Sequence, residues 1–154
     1  MNVSKIYVGS DHAGFDAKQR LLRSKLFRNY QFHDLGTISN SSCDYVDYAL
    51  KVATEVAKEL ESVGILLCGS GTGMCISANK VKGIRAAVGY SKKIAKLAVE
   101  HNDINVICFG ARFLSSREIL RITKAFLNAS FQRGRHLNRV EKITLFEQKN
   151  ISST

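Results

Sequence analysis

Val63-Gly64-Ile65-Leu66-Leu67-Cys68-Gly69-Ser70-Gly71-Thr72-Gly73 begins as a short apolar run, passes through a cysteine and ends in three alternating glycines. A helix-like segment, Met74 to Lys80, follows directly. Strand, glycine loop and helix in that order describe a β-strand whose C-terminal end opens onto main-chain N–H groups, a pocket suited to an oxyanion or phosphate. The glycines admit close approach of the backbone, and the helix adds the positive end of its dipole. A thiol stands at the mouth. The position therefore reads as chemical rather than structural.

The same alternation extends in both directions. Lys5 to Gly9 reads as a strand, Phe15 to Arg28 as a helix with Leu21, Leu22 and Leu26 inward, and Gln31 to Leu35 as a weaker strand. Asp44 to Leu60 places Val46, Leu50, Ala53, Ala57 and Leu60 at spacings of four and three, the period of an amphipathic helix. After the glycine loop come a strand at Ile84 to Gly89, a helix at Ser91 to His101 and a strand at Asn105 to Gly110. Ser115 or Ser116 can cap a helix running to Ala129, and Arg139 to Lys149 reads as a last helix with a Val140, Ile143 and Phe146 stripe for a partner subunit. Strands separated by helices require right-handed crossovers, so the expected fold is α/β: a five-stranded parallel sheet covered by helices, with a C-terminal helix added. No linker, repeat or low-complexity segment divides residues 1–154, which are expected to form one domain.

The chain is long enough to bury a core without disulfides or metals, and its 45% hydrophobic and 23% charged residues fit a globular protein. A net charge of +10, from 23 Lys and Arg against 13 Asp and Glu, favours an anionic partner: nucleic acid, anionic lipid or a phosphorylated metabolite. No apolar stretch reaches membrane-spanning length, and Met1-Asn2-Val3-Ser4-Lys5 runs into a strand rather than a signal sequence, so a cytoplasmic location and no membrane partner are expected. Cys43, Cys68, Cys75 and Cys108 show no C-x-x-C spacing and are expected to be free thiols. The four histidines and four cysteines show no zinc-ligand spacing.

In a parallel sheet, ligands gather at the C-terminal strand ends. Gly9-Ser10-Asp11-His12-Ala13-Gly14, the Cys68 loop and Gly110-Ala111-Arg112 all fall on that edge. Metal-free carbon-acid chemistry needs a base near the substrate carbon, donors for the developing oxyanion, and groups that pass protons between oxygens. Cys68, the glycine N–H groups, and Asp11 with His101 could fill those roles. Each has a plainer reading as well. A buried cysteine is usually inert, Asp11 could cap the first helix, and His101 could be a cap or a solvated side chain. Arg135 and Arg139 could form a solvated face, and Tyr45 could belong to the core. Cys43, Cys75 and Cys108 read as packing.

Gly9-Ser10-Asp11-His12-Ala13-Gly14, Asp44-Tyr45, the Leu67 to Gly73 loop, Ala78-Asn79-Lys80, Gly83-Ile84-Arg85-Ala86, His101-Asn102-Asp103, Phe109-Gly110-Ala111-Arg112 and Gly134-Arg135-His136-Leu137-Asn138-Arg139-Val140 together resemble ribose-5-phosphate isomerase type B, from about residue 5 to 148. The resemblance implies a Rossmann-like three-layer α/β/α sandwich working as a dimer or tetramer, with the site at or near a subunit interface. It implies a cofactor-free aldose-ketose isomerase of the pentose phosphate pathway, acting through an enediolate without a metal. Carried onto this chain, it makes Cys68 the base, with its thiolate fraction raised by the loop amides. The backbone of Gly69, Ser70, Gly71, Thr72 and Gly73 would hold the enediolate oxygens, with the Ser70 hydroxyl as a catalytic assistant where the family often has threonine. His101 would assist ring opening, Asn102 would bond the sugar, and Asp11, Asp44 and Tyr45 would contact the substrate. His12, Arg135, Arg139 and Arg112 would hold phosphate. One branch of the family uses a glutamate later in the loop; here that position is Met74, leaving Cys68 to serve. The family also carries proline after the Asp-Tyr pair, whereas this chain has Val46 and no proline at all, which bears on how Tyr45 is placed.

Competing classes lack their residues. A P-loop needs Lys-Ser or Lys-Thr after the loop, and a cysteine phosphatase needs an arginine near Met74. A dinucleotide site would place its glycines in the first βα unit rather than the third. A basic nucleic-acid module would cluster its cations among aromatics, while these are scattered along helices, so no nucleic-acid partner is expected. Allose-6-phosphate or galactose-6-phosphate remain alternative substrates within the family. Galactose-6-phosphate enzymes divide these motifs over two different subunits, while this chain carries Cys68, His101 and both arginines itself.

Overall fold

Every apolar run expected to be extended forms a strand of one parallel sheet. The computed structural model describes residues 3–151, so Met1 and Asn2 of the reading above, and the last three residues, lie outside the described residues. The strands are β1 (Lys5–Ser10), β2 (Gln31–Asp34), β3 (Ser62–Cys68), β4 (Ala86–Val88) and β5 (Val106–Gly110), in the order β2-β1-β3-β5-β4. The helices are α1 (Phe15–Leu22), α2 (Tyr45–Lys58), α3 (Thr72–Ala78), α4 (Lys92–Asn102), α5 (Ser116–Asn128) and α6 (Gly134–Ile151).

β3 explains the layering. All seven of its residues are buried, and its side chains alternate between two cores, as a strand covered on both faces must. Val63, Ile65 and Leu67 pack with Leu21, Val99, Ile119 and Phe126 of α1, α4 and α5. Leu66 and Cys68 pack with Ala49, Val52, Val56, Met74 and Ala78 of α2 and α3 on the opposite face. The result is a three-layer α/β/α sandwich. From β1 the chain crosses to β2, whereas from β3 it crosses the other way to β4, so the winding reverses between β1 and β3, which are paired from Lys5 with Ser62 to Ser10 with Leu67. Such a reversal is where doubly wound sheets form their ligand crevice, at the C-terminal strand ends.

Several readings of the sequence are corrected. α6 starts at Gly134 rather than Arg139, and its Val140 is buried in this chain rather than left for a partner. α1 stops at Leu22 rather than Arg28, because Ser24 is extended and its hydroxyl accepts the Leu26 amide to start a separate 3-10 turn, Lys25–Phe27. Phe27 fills the core there and Leu26 points out, 54% exposed. On α2 the buried stripe is Ala49, Val52, Ala53 and Val56, rotated from the expected one: Ala53 is shared, Leu50 and Ala57 are exposed, and Leu60 lies beyond the helix at full exposure. β4 is an edge strand of three residues, shorter than Ile84 to Gly89. The polar helix starts hold as read: Ser115 and Glu118 form a reciprocal capping box on α5.

Candidate active site

The crevice between β1 and β3 is built from three strand-end turns stitched to one another. The Asp11 amide donates to the Leu67 carbonyl, the Ala111 amide to the Cys68 carbonyl at 2.8 Å, and the Arg112 amide to the Gly69 carbonyl. Glycine is needed where these turns touch. A Cβ on Gly14 would lie 2.1 Å from the Leu67 carbonyl oxygen, and one on Gly110 2.7 Å from that of Ser70. Gly71 adopts φ +81°, which L side chains rarely take.

Cys68 sits at the base, packed beside Met74 and Cys108 and 4% exposed. Its sulfur is not left to hydrocarbon alone: the Gly71 amide donates to Sγ at 3.2 Å. Such a bond strengthens when its acceptor carries charge. α3 is only seven residues long, so the turn itself, more than a helix dipole, supplies the donors. Ser70 Oγ accepts the Thr72 amide at 3.3 Å, which leaves the hydroxyl proton free to be given away. The Arg112 guanidinium lies over Gly69, whose Cβ would meet it at 3.3 Å, and brings positive charge to the same loop. Cys108 lies in the core and Cys75 packs against it. Burial pushes the Cys108 thiol well up, while a hydrogen bond from Cys108 lowers Cys75.

Asp11 is 5% exposed and its Oδ1 accepts the Gly14 amide at 3.0 Å, so it does shape the start of α1 while standing in the crevice. His12 Nδ1 accepts the Cys43 amide at 3.3 Å, which places the ring proton on Nε2. Asp44 caps α2 by accepting the Val46 amide at 3.0 Å. Val46 stands where proline would lack that N–H, so the cap, rather than a rigid ring, fixes the turn. Tyr45 then lies against the glycine loop: a Cβ on Gly73 would be 2.6 Å from its ring. A cleft of about 550 Å³ along α2 includes none of these residues.

His101, Asn102, Arg135 and Arg139 are not brought to this crevice. α4 runs antiparallel to the strands, so its last turn, with His101 and Asn102, ends where β5 begins. Asp103, next in the chain, is held by Arg85, which stands just ahead of β4. With α4 spanning eleven residues, the separation is roughly 16 Å along the helix alone at about 1.5 Å per residue. α6 joins this far edge. The Gln132 amide donates to the Glu100 carbonyl, and the His136 ring stacks on His101 with centroids 4.1 Å apart. Arg135 and Arg139 flank His136 and are exposed. The candidate residues thus fall into two groups at opposite ends of the strands.

The sequence matches the ribose/galactose isomerase family over residues 6–143. It is 42% identical to a protein of Escherichia coli named ribose-5-phosphate isomerase B, with 96% of this chain and 99% of that one aligned. The chain belongs to the ribose/galactose isomerase family. Solved members share its fold: a ribose-5-phosphate isomerase B of Clostridium thermocellum superposes with a TM-score of 0.91 at 43% identity, covering 95% of this chain and 99% of that one. One from Mycoplasma genitalium, solved with bound ribulose-5-phosphate, gives 0.90 at 39%, covering 94% and 96%.

His136 is buried on α6 between exposed Arg135 and Arg139. Its burial, then the neighbouring His101, Arg135 and Arg139, lower its proton affinity below the ordinary 6.5. The unfolded imidazole takes up a proton near that ordinary value while the folded one resists, so stability is full above it and falls as pH drops through it. His136→Gln should flatten the decline of Tm between about pH 7 and 5. An unchanged slope would show that the ring is not held neutral. Sequence reading missed the Cys43 amide behind His12, a main-chain contact that no residue identity signals.

Proposed function

We propose that the protein interconverts ribose 5-phosphate and ribulose 5-phosphate through an enediolate, with Cys68 as the base. The observation that carries this reading is the Gly71 amide aimed at the Cys68 sulfur in the crevice where the sheet reverses its winding. Cys68 as thiolate takes the C2 proton of the open-chain aldose, and the electron pair moves to form the C1–C2 double bond and a charged O1. Loop amides with Arg112 stabilise that oxygen. Ser70 passes a proton between O2 and O1, and Cys68 returns its own to C1, giving the ketose. The relatives' names and the ribulose-5-phosphate in the Mycoplasma structure support the five-carbon sugar. Side-by-side assays of ribose-5-phosphate, allose-6-phosphate and galactose-6-phosphate test it: a pentose preference supports the reading, and turnover of a hexose phosphate alone overturns it. Tight DNA binding at physiological salt would promote the nucleic-acid alternative instead.

The working unit in this proposal is a homodimer, or a tetramer built from such dimers. Each centre joins the Cys68 half-site of one copy to His101, Asn102, Arg135 and Arg139 of a second copy. Exposed Tyr90 and Phe113 follow β4 and β5 on the Cys68 edge, and Ile143, Leu145 and Phe146 stand out on α6, all apolar surface that a second copy would cover. A monomer in sedimentation that retains full activity would sink this arrangement. Arg135→Ala is expected to raise KM by about tenfold with kcat nearly unchanged, because a phosphate contact acts in ground and transition states alike. Steady-state kinetics check it, and a fall confined to kcat would remove Arg135 from the phosphate site. The four cysteines are free thiols, which fits a cytoplasmic enzyme acting as one domain.

A further inference from the structure

Lys18 is among the most deeply buried side chains of the described residues, with 1% of its side chain accessible. Lysine is almost never buried unless paired, and hydrocarbon of similar volume is generally no less stable in such a place. Core stability therefore does not account for it. Its contacts do point to a task. Nζ donates to both carboxylate oxygens of Asp34 at the end of β2 and to the Thr37 carbonyl at 2.9 Å, which uses all three of its protons. Its methylenes run under Gly36, where a Cβ would lie 3.0 Å from Cδ and 2.5 Å from the Ser10 amide.

Lys18 thereby clamps the root of an irregular segment between β2 and α2. Beyond the Thr37 amide bond to Ser10, that segment is held largely by its own polar atoms: Thr37 with Ser39, then the Ser41 amide on Ser39 Oγ. It ends at Cys43, whose amide donates to His12 Nδ1. A backbone donor on Nδ1 puts the ring proton of His12 on Nε2, a fixed donor for an anion. That holds only while the segment is in place.

We propose that Lys18 is a positioning residue: through Thr37 and Asp34 it holds the 35–43 segment so that the Cys43 amide fixes the tautomer and orientation of His12 for the substrate phosphate. This rests on the isomerase reading, in which His12 contacts that phosphate. Lys18 touches no substrate. It acts on affinity through one side chain, and its effect exists only when His12 is present.

The test is a double-mutant cycle on the full oligomeric protein with ribose 5-phosphate. Lys18→Met is expected to raise KM by about tenfold with kcat within about twofold, and His12→Ala to raise KM by at least as much. In the His12→Ala background, Lys18→Met should change KM by less than about twofold. Asp34→Asn, at a half-exposed position that perturbs folding less, should give the same pattern at roughly threefold. Imidazole nitrogen NMR of histidine-labelled protein, with His12 assigned by difference against His12→Ala, should show a single Nε2–H tautomer in the unaltered protein. Lys18→Met and Asp34→Asn should each give a mixture. Additive KM effects, or an unaltered His12 signal in both variants, would overturn the proposal and leave the isomerase reading standing. Absence of turnover by the unaltered protein would strike at the isomerase reading instead, and the NMR comparison would still decide whether Lys18 fixes His12.

Discussion

Cys68→Ala is expected to lower kcat by about four orders of magnitude, the upper range for removing a positioned base, while ribose 5-phosphate still binds. Among the described residues, no other side chain stands where the Gly71 amide meets the sulfur. Met74 is fully buried and has no proton to exchange, and Asp11 already accepts the Gly14 amide. The fold should tolerate the change, because one sulfur atom leaves little void and costs on the order of 1 kcal/mol. Serine should fare no better than alanine: it keeps the size and the Gly71 contact, but a hydroxyl hardly ionises near neutral pH. Solvent deuterium incorporation at C2 of bound sugar phosphate reads the proton-transfer step directly, and calorimetry reads binding. A Cys68→Ala protein within tenfold of full activity would remove the base from the mechanism.

Mixing two inactive variants should restore activity. In the proposed dimer every centre combines Cys68 from one copy with His101 from the other. Neither Cys68→Ala nor His101→Ala alone contains an intact centre. Unfolding the two together and refolding them gives heterodimers as about half of all dimers, and two-fold symmetry puts one wild-type and one doubly defective centre in each. Activity should therefore rise from near zero to about a quarter of the unaltered enzyme's. Cys68→Ala mixed with Ser70→Ala serves as the control, since both lesions lie in the same half-site and each centre of the mixed dimer keeps one of them. Recovery in the control, or none in the first mixture, would show that the centre is not shared as proposed.

The strand-end rule succeeded where chain order and sheet geometry agree. Asp11, Cys68 and Arg112 each follow a strand directly, so their placement needed only the parallel sheet. His101 shows the limit. It closes a crossover helix, and such a helix runs back toward the start of the next strand, so its position opposite Cys68 follows from the topology and not from the strand-end rule. The rotated face of α2 has another cause. Leu50 and Leu60 satisfy the helical period as well as Val52 and Val56 do, and only the path of the sheet decides which stripe turns inward. Lys18 left a trace, standing three and four residues before Leu21 and Leu22 on the inner side of α1. Its partners Asp34 and Thr37 could not be read without the fold.

The depth of the sheet between the two half-sites also bears on concentration. If each centre is shared between copies as proposed, no rotamer change or loop motion inside one copy spans that distance, and a lone chain would hold the parts of a catalyst without being one. Specific activity would then fall on dilution, with the midpoint reporting the dissociation constant of the pair. Selection for turnover in such a protein would act on self-recognition as strongly as on the thiol.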